Sequence, residues 1–306
     1  RRGRSGLHLP DGAVPRRAHV RGLGRAHALA LAQHGAKVLV NDLAGADGVS
    51  ANAEAVADEI RAAGGEALAN GASVSDWDQV EAMTRQVLDK WGRVDILVNN
   101  AGILRDKSFL KMTMDEFRQV IDVHLLGTAY CTKAVWETMR DLVYGRIVFT
   151  SSFTVLYGNL VKKNYGAAKM AMVGMMNTLH QEGAKYDIRV NCLAPAAGTA
   201  MTEGLIPEAA FKLLSPESVS PGVVFLASDS APSRTVLCAG GGSFAVYRGF
   251  ETEGVNLSPD NVTPEGVAQA WDRITRTEGM RELQAGFEQT GKFAQQGAKA
   301  LGIELS

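Results

Sequence analysis

The sequence predicts an α/β fold, a doubly wound parallel sheet with a C-terminal helical extension. Three observations predict it. From Gly22 to about Leu237, six short β-rich runs alternate with six longer segments of helical spacing. Most of the β-rich runs are apolar at nearly every position, as strands are when helices cover both faces of a sheet. The strand–helix pitch is that of repeated βαβ units, which wind a parallel sheet.

The strands are expected at 37–42, 66–73, 94–99, 146–151, 188–193 and 234–238. The helices are expected at 23–34, 49–63, 77–91, 114–140, 164–185 and 216–227. After Cys238 the pattern changes. Gly240, Gly241 and Gly242 read as a flexible break, Thr263-Pro264-Glu265 as a helix start, and 283–301 as a polar helix. The expected division is therefore one domain over 1–240 and an appended helical segment over 241–306, with no internal repeat.

Composition excludes several functions. A formal net charge of −1 gives no overall field for nucleic acid or an anionic membrane. The three cysteines (Cys131, Cys192, Cys238) are far apart, with no CxxC pair and no clustered histidines, so neither a disulfide framework nor a metal site is expected. No apolar run approaches the ~20 residues that span a bilayer. The arginine-rich start lacks the apolar stretch of a secretory signal, and the Glu-Leu-Ser end is not a peroxisomal address of the Ser-Lys-Leu kind. A cytoplasmic location is the expectation.

Chemistry concentrates around NYGAAKMAMVGMM. Tyr165 and Lys169 stand four apart in a segment rich in helix formers, which places both side chains on one face. A free tyrosine has a pKa of about 10, too high for a base at neutral pH. A neighbouring ammonium is expected to favour the phenolate, so the pair suits proton exchange in an alcohol–carbonyl interconversion. Ser152 follows the strand RIVFTSS, at the sheet edge where ligands sit, and its hydroxyl can hydrogen-bond a substrate oxygen. A bare Tyr–Lys helical pair is ordinarily a solvated face; the set gains weight from its neighbours. Val98–Gly102 (VNNAG) ends a strand with small residues that let backbone approach a cofactor. Asp42 ends another strand eighteen residues beyond Gly24, where a carboxylate accepts bonds from adenosine ribose hydroxyls and repels a 2′-phosphate. NAD is the cofactor this favours. The competing reading of Asp42 is a turn residue at a strand end.

Over Gly22 to Cys238 the chain resembles the short-chain dehydrogenases/reductases. GLGRAHALALAQHGAKVLVNDLAG, NNAGILRDKSF, DVHLLGT, SSFTVLYGN and NYGAAKMA are most similar to one branch, the (3R)-hydroxyacyl-CoA dehydrogenase domain of peroxisomal multifunctional enzyme type 2 and its bacterial relatives. The tail around TPEGVAQAWDRI resembles that branch too. The resemblance implies a Rossmann-like fold, with Ser152 polarising the substrate, Tyr165 as acid/base, and Lys169 binding ribose and tuning the phenol. It implies His124 in the place of a proton-relay asparagine; the competing reading is a satisfied helix histidine. It also implies Ser73 and Val74 beside the adenine, Asn99, Ala101 and Gly102 along the nucleotide, and Gly22 and Gly24 as surviving glycines of the phosphate loop. A homodimer or homotetramer is implied, through the helices at 114–140 and 164–185.

The pattern breaks before Gly22. Pro15, Arg16, Arg17 and Arg21 stand where a buried strand and its turn should run, and Ala18 and Val20 stand where glycine is expected. The abrupt switch at Gly22 is what a shifted reading frame over 1–21 would produce; the source DNA tests that. Three readings stay open. The first is NAD-dependent oxidation of a (3R)-3-hydroxyacyl thioester, with residues 201–214 covering the substrate. The second is a ketoreductase acting on 3-oxoacyl, steroid or other carbonyl substrates, which cofactor preference discriminates. The third is a catalytically inactive, nucleotide-free relative, which NADH titration discriminates.

Overall fold

A computed structural model of the chain describes residues 22–198 and 207–305. The aberrant segment 1–21, with the expected first strand, and the start of the expected substrate cover, 201–206, lie outside the described residues.

Strands and helices alternate as the sequence predicts. Helix α1 (Leu23–Gln33) leads to β1 (Val38–Asn41), α2 (Ala51–Ala62) to β2 (Ala67–Asn70), and α3 (Trp77–Trp91) to β3 (Ile96–Asn99). The rod α4 (Met114–Ile121) and α5 (Gly127–Asp141) leads to β4 (Gly145–Thr150). Then come α6 (Phe153–Tyr157), α7 (Lys163–Gly183) and β5 (Ile188–Pro195), followed by α8 (Glu208–Leu213), α9 (Ser220–Leu226), β6 (Val236–Gly240) and β7 (Ser243–Tyr247). The described chain divides into two compact units, one ending at Tyr247 and one beginning at Arg248.

In the first unit β1 pairs with β2, and β3, β4, β5, β6 and β7 pair in that order; every pairing is parallel except β6–β7. Among the described residues, β1 and β3 each have one unpaired edge. Period-2 alternation lets β4 serve both faces of its sheet. Ile147 and Phe149 pack with Met172 and Met176 of α7 and Met139 of α5, while Val148 packs with Val223 and Leu226 of α9. All of these side chains are buried.

Two expectations need correction. Gly240–Gly242 is not a flexible break: Gly240 pairs with Ser243, and Gly241 and Gly242, at φ 58° and 77°, turn β6 into the antiparallel β7. Two consecutive positive φ values are what a two-residue hairpin turn demands, and glycine meets that demand without strain. The helix expected at 114–140 is continuous but not uniform. A capping box starts it, with Thr113 Oγ1 accepting from the Glu116 amide (3.2 Å) and the Glu116 carboxylate from the Thr113 amide (3.0 Å). Residues Asp122–Leu126 then wind as a π-helical turn that carries His124; such turns frequently mark functional positions.

The second unit contains α10 (Pro264–Ile274) and α11 (Gly286–Leu301). Thr263 caps α10 by accepting from the Gly266 amide (3.0 Å), with Pro264 in the first turn, as the Thr-Pro-Glu signal predicts. Glu251 and Arg281 exchange backbone hydrogen bonds, and buried Lys292 donates to the Glu251 carboxylate and the Thr252 carbonyl.

Candidate active site

The parallel strands point their carboxyl ends one way, and the chemically marked residues gather there. Ser152 stands two residues beyond the end of β4 and caps α6, its Oγ accepting from the Thr154 amide (3.3 Å). It is buried, and its hydroxyl lowers the pKa of the neighbouring Tyr165 phenol. Tyr165 and Lys169 lie in the first two turns of α7, with the Lys169 ammonium 5.7 Å from the Tyr165 ring centroid. The predicted face pairing is present.

Lys169 is fully buried, and its ammonium donates to the Thr150 carbonyl at the end of β4. Ser151 donates back to the Lys169 carbonyl (3.1 Å), which fixes α7 against the strand. Burial pushes the Lys169 amine down to about 7. This corrects the expected electrostatics. Burial holds the Tyr165 phenol above the ordinary tyrosine range, and the Ser152 hydroxyl is what opposes that rise. Lys169 is not among the groups that shift the phenol, whose rise is set first by burial.

His124 joins the same cluster. Its ring stands edge-on to the Tyr165 ring, with 5.3 Å between centroids and 85° between planes. The Ile103 amide donates to Nε2 (2.9 Å), and the Ile103 carbonyl lies 2.8 Å from the same nitrogen. Burial first, then Lys169, pushes the imidazole down to about 3, so it is neutral. Its Nδ1 is buried with no hydrogen-bond partner, as is the Thr150 hydroxyl oxygen. Gly102 makes room for this ring: a Cβ there would lie 2.3 Å from His124 Cε1.

The residues expected along a nucleotide lie at the same edge. Asn99 is buried and donates to Thr132 Oγ1 (3.4 Å), and Ala101 is exposed. Gly22 precedes α1 as its N-cap, and a Cβ on Gly24 would come within 3.0 Å of Asn100 Nδ2. The Ser73 amide donates to Gln79 (2.9 Å), and Val74 packs where a Cβ on Gly127 would clash, at 2.8 Å. Asp42 follows β1, exposed, accepting from the Leu43 amide (2.8 Å) and from Asn52 Nδ2 (3.2 Å). The turn role is therefore filled, and the carboxylate still faces solvent. Downstream, the Gly198 amide donates to the Leu214 carbonyl (2.5 Å) and closes the base of the segment that contains α8.

One contributor escaped the sequence reading. Asn164 is fully buried; its Oδ1 accepts from the Tyr165 amide (2.9 Å) and its Nδ2 donates to the Arg105 carbonyl (3.1 Å), so it sets the start of α7. Its place directly before the tyrosine was the available signal.

Comparison with known proteins decides the family. The model of the short chain dehydrogenase family matches residues 18–209. The chain belongs to the short-chain dehydrogenase family. It is therefore an oxidoreductase acting on CH–OH groups, in a family that generally uses NAD or NADP. The peroxisomal hydratase-dehydrogenase-epimerase of Saccharomyces cerevisiae is 44% identical over 261 residues, which are 83% of this chain and 29% of that protein. The full-length peroxisomal multifunctional enzyme type 2 of Drosophila melanogaster superposes with a TM-score of 0.76 at 36% identity, over 90% of this chain and 47% of that one. A short chain dehydrogenase from Mycobacterium avium superposes with a TM-score of 0.74 at 37% identity, over 83% of this chain and 91% of that one. This short-chain dehydrogenase thus spans less than half the length of the two peroxisomal relatives. Among its described residues no helix is long and apolar enough to cross a membrane, and no cluster of histidine, cysteine and carboxylate side chains could hold a metal ion.

Proposed function

We propose that the chain oxidises a (3R)-3-hydroxyacyl thioester to the 3-oxoacyl form, with NAD as hydride acceptor. The convergence of Ser152, Tyr165, Lys169 and His124 at the carboxyl end of β4 carries this reading. Ser152 holds the substrate hydroxyl beside the Tyr165 phenol. Tyr165 takes the hydroxyl proton as the C3 hydrogen leaves with its electron pair. Lys169, a fully buried amine with a carbonyl partner, suits the ribose hydroxyls of a dinucleotide. An oxidised nicotinamide, when bound, accepts the hydride and places positive charge beside the phenol. Neutral His124, with Nδ1 unpartnered, is suited to pass a proton or order a water next to Tyr165.

Asp42, exposed at the end of β1, supports NAD over NADP through repulsion of a 2′-phosphate. Ser73, Val74, Asn99, Ala101 and Gly102 would line the dinucleotide, with Gly22 and Gly24 at its phosphates. The named multifunctional relatives support the hydroxyacyl thioester. Assembly as a homodimer or homotetramer and a cytoplasmic setting belong to the same reading; buried, free Cys131 and Cys192 suit a reducing compartment.

The test is turnover of the (3R) and (3S) forms of 3-hydroxybutyryl-coenzyme A with NAD or NADP, followed by absorbance of the reduced cofactor. Preference for (3R) with NAD is expected. Turnover of neither form, with saturable NADH binding intact, rejects the substrate assignment; absence of NADH binding rejects the enzyme reading as a whole.

A further inference from the structure

Between β3 and α4 the chain passes over 103–107 as an irregular strap, stitched on both sides by side chains. On one side the Ile103 amide (2.9 Å) and carbonyl (2.8 Å) both meet His124 Nε2. There too the Arg105 guanidinium donates to Gln119 Oε1 (3.2 Å), and Lys107 pairs with Glu116 of α4 (2.5 Å). On the other side the Arg105 carbonyl accepts from Asn164 Nδ2 (3.1 Å), Asp106 pairs with Lys162, and the Lys107 carbonyl accepts from Lys163. Three consecutive residues at the start of α7 hold three consecutive residues of the strap.

These tethers are unequal. The two lysine contacts lie at the surface, where water competes and salt screens. Asn164 is 0% exposed. Helix α7 starts without a side-chain cap at Lys162, so the amides of its first turn need other acceptors. Asn164 Oδ1 takes the Tyr165 amide (2.9 Å) while Nδ2 serves the Arg105 carbonyl. A carboxamide does both at once because it accepts on one atom and donates on the other; a carboxylate of the same shape only accepts. One buried side chain therefore joins the backbone of Tyr165 to a strap that, two residues away, grips His124. The two rings so connected stand 5.3 Å apart, edge to face.

We propose that Asn164 is a positioning residue: by holding the Arg105 carbonyl it fixes the strap, so that Ile103 keeps the His124 imidazole in register with the Tyr165 phenol. Asn164 touches neither ring and acts through the strap. The proposal rests on the reading of Tyr165 and His124 as the groups that handle the substrate proton. A shift of the imidazole by a fraction of its separation from Tyr165 is enough to slow that transfer, while the surfaces that bind cofactor and substrate stay in place.

The experiment is a double-mutant cycle in the full-length protein: wild type, Asn164→Ala, His124→Ala and the pair, with (3R)-3-hydroxybutyryl-coenzyme A and NAD. Asn164→Ala should lower kcat about tenfold, with KM and the Kd for NADH within about twofold of wild type. In the His124→Ala background the same change should lower kcat by no more than about twofold, because the group being positioned is gone. Equal losses in both backgrounds overturn the proposal, as does an unchanged kcat or a loss carried by KM or NADH affinity. Should the alanine variant not fold, Asn164→Asp replaces it at alkaline pH, where the ionised carboxyl keeps the Tyr165 amide and cannot donate to Arg105. If wild type turns over no substrate, the hydroxyacyl reading fails separately and NMR of the imidazole nitrogens decides. The His124 signals, assigned by their absence from His124→Ala, should shift when Asn164 is replaced; unshifted signals overturn the proposal.

Discussion

The imidazole of His124 stands perpendicular to the phenol ring of Tyr165, 5.3 Å between centroids, on a π-helical turn facing the first turns of α7. Gly102 lets that turn approach, because any Cβ there would meet the imidazole. Gly102→Ala should therefore displace the ring and cost about 1–3 kcal/mol of stability by overpacking, together with most of the activity. In a His124→Ser background the same alanine should cost much less stability. Denaturant unfolding of the double-mutant cycle checks this; additive costs would separate Gly102 from His124.

His27 predicts an acid limit. It is 2% exposed, its Nδ1 lies 2.9 Å from Ser220 Oγ, and its Nε2 is buried without a partner. Burial lowers its pKa from 6.5 to about 4. The unfolded chain therefore binds more protons than the native one between these values. Stability is full above about pH 6.5 and falls by up to about 1.4 kcal/mol per pH unit as pH drops toward 4. His124, lowered to about 3, adds the same slope over a wider window. His27→Gln, which can keep the bond to Ser220 without titrating, should make the profile over pH 4–6.5 less steep, leaving the slope that His124 contributes. Unchanged acid unfolding by circular dichroism would contradict this.

At the amino ends of the strands Arg146 is buried to 1% exposure. Its guanidinium donates to the carbonyls of Ser228 (3.0 Å), Gly145 (2.8 Å) and Asp187 (2.7 Å) and to the Asp187 carboxylate (3.0 Å). Arg146→Met leaves these acceptors unsatisfied and should cost about 2–4 kcal/mol, with NADH affinity retained in the protein that remains folded. Thermal unfolding together with a fluorescence titration checks both halves.

The proposed preference for NAD rests on Asp42. Asp42→Ser should lower kcat/KM with NAD and raise it with NADP, shifting their ratio by about tenfold to a hundredfold, as loss of one charged contact of about 1.4–2.8 kcal/mol would. An unmoved ratio would leave the carboxylate only its turn role with Leu43 and Asn52.

Much of this was legible in the sequence because its signals are local. Apolar runs marked strands within a few residues of β1 to β6, and a four-residue spacing placed Tyr165 and Lys169 on one helix face. What was not legible depends on distant partners. The turn made by Gly241 and Gly242 is defined only by the strand it brings back, β7. The π-helical turn at His124 has no helix-breaking residue to announce it. The upward shift of the Tyr165 phenol comes from burial, which overrides the intuition drawn from Lys169 nearby. The acceptors that allow Arg146 to be buried in an apolar strand, Asp187 and Ser228, lie far away in the sequence.

The central claim is that the Tyr165 phenol moves the substrate proton. Its direct measurement is kcat/KM for NAD-dependent oxidation of (3R)-3-hydroxybutyryl-coenzyme A by Tyr165→Phe, in protein shown to be folded and to bind NADH as wild type does. The account predicts a fall of about a hundredfold to ten-thousandfold, with wild-type activity rising toward alkaline pH as the raised phenol ionises. Wild-type turnover by the phenylalanine variant would contradict it.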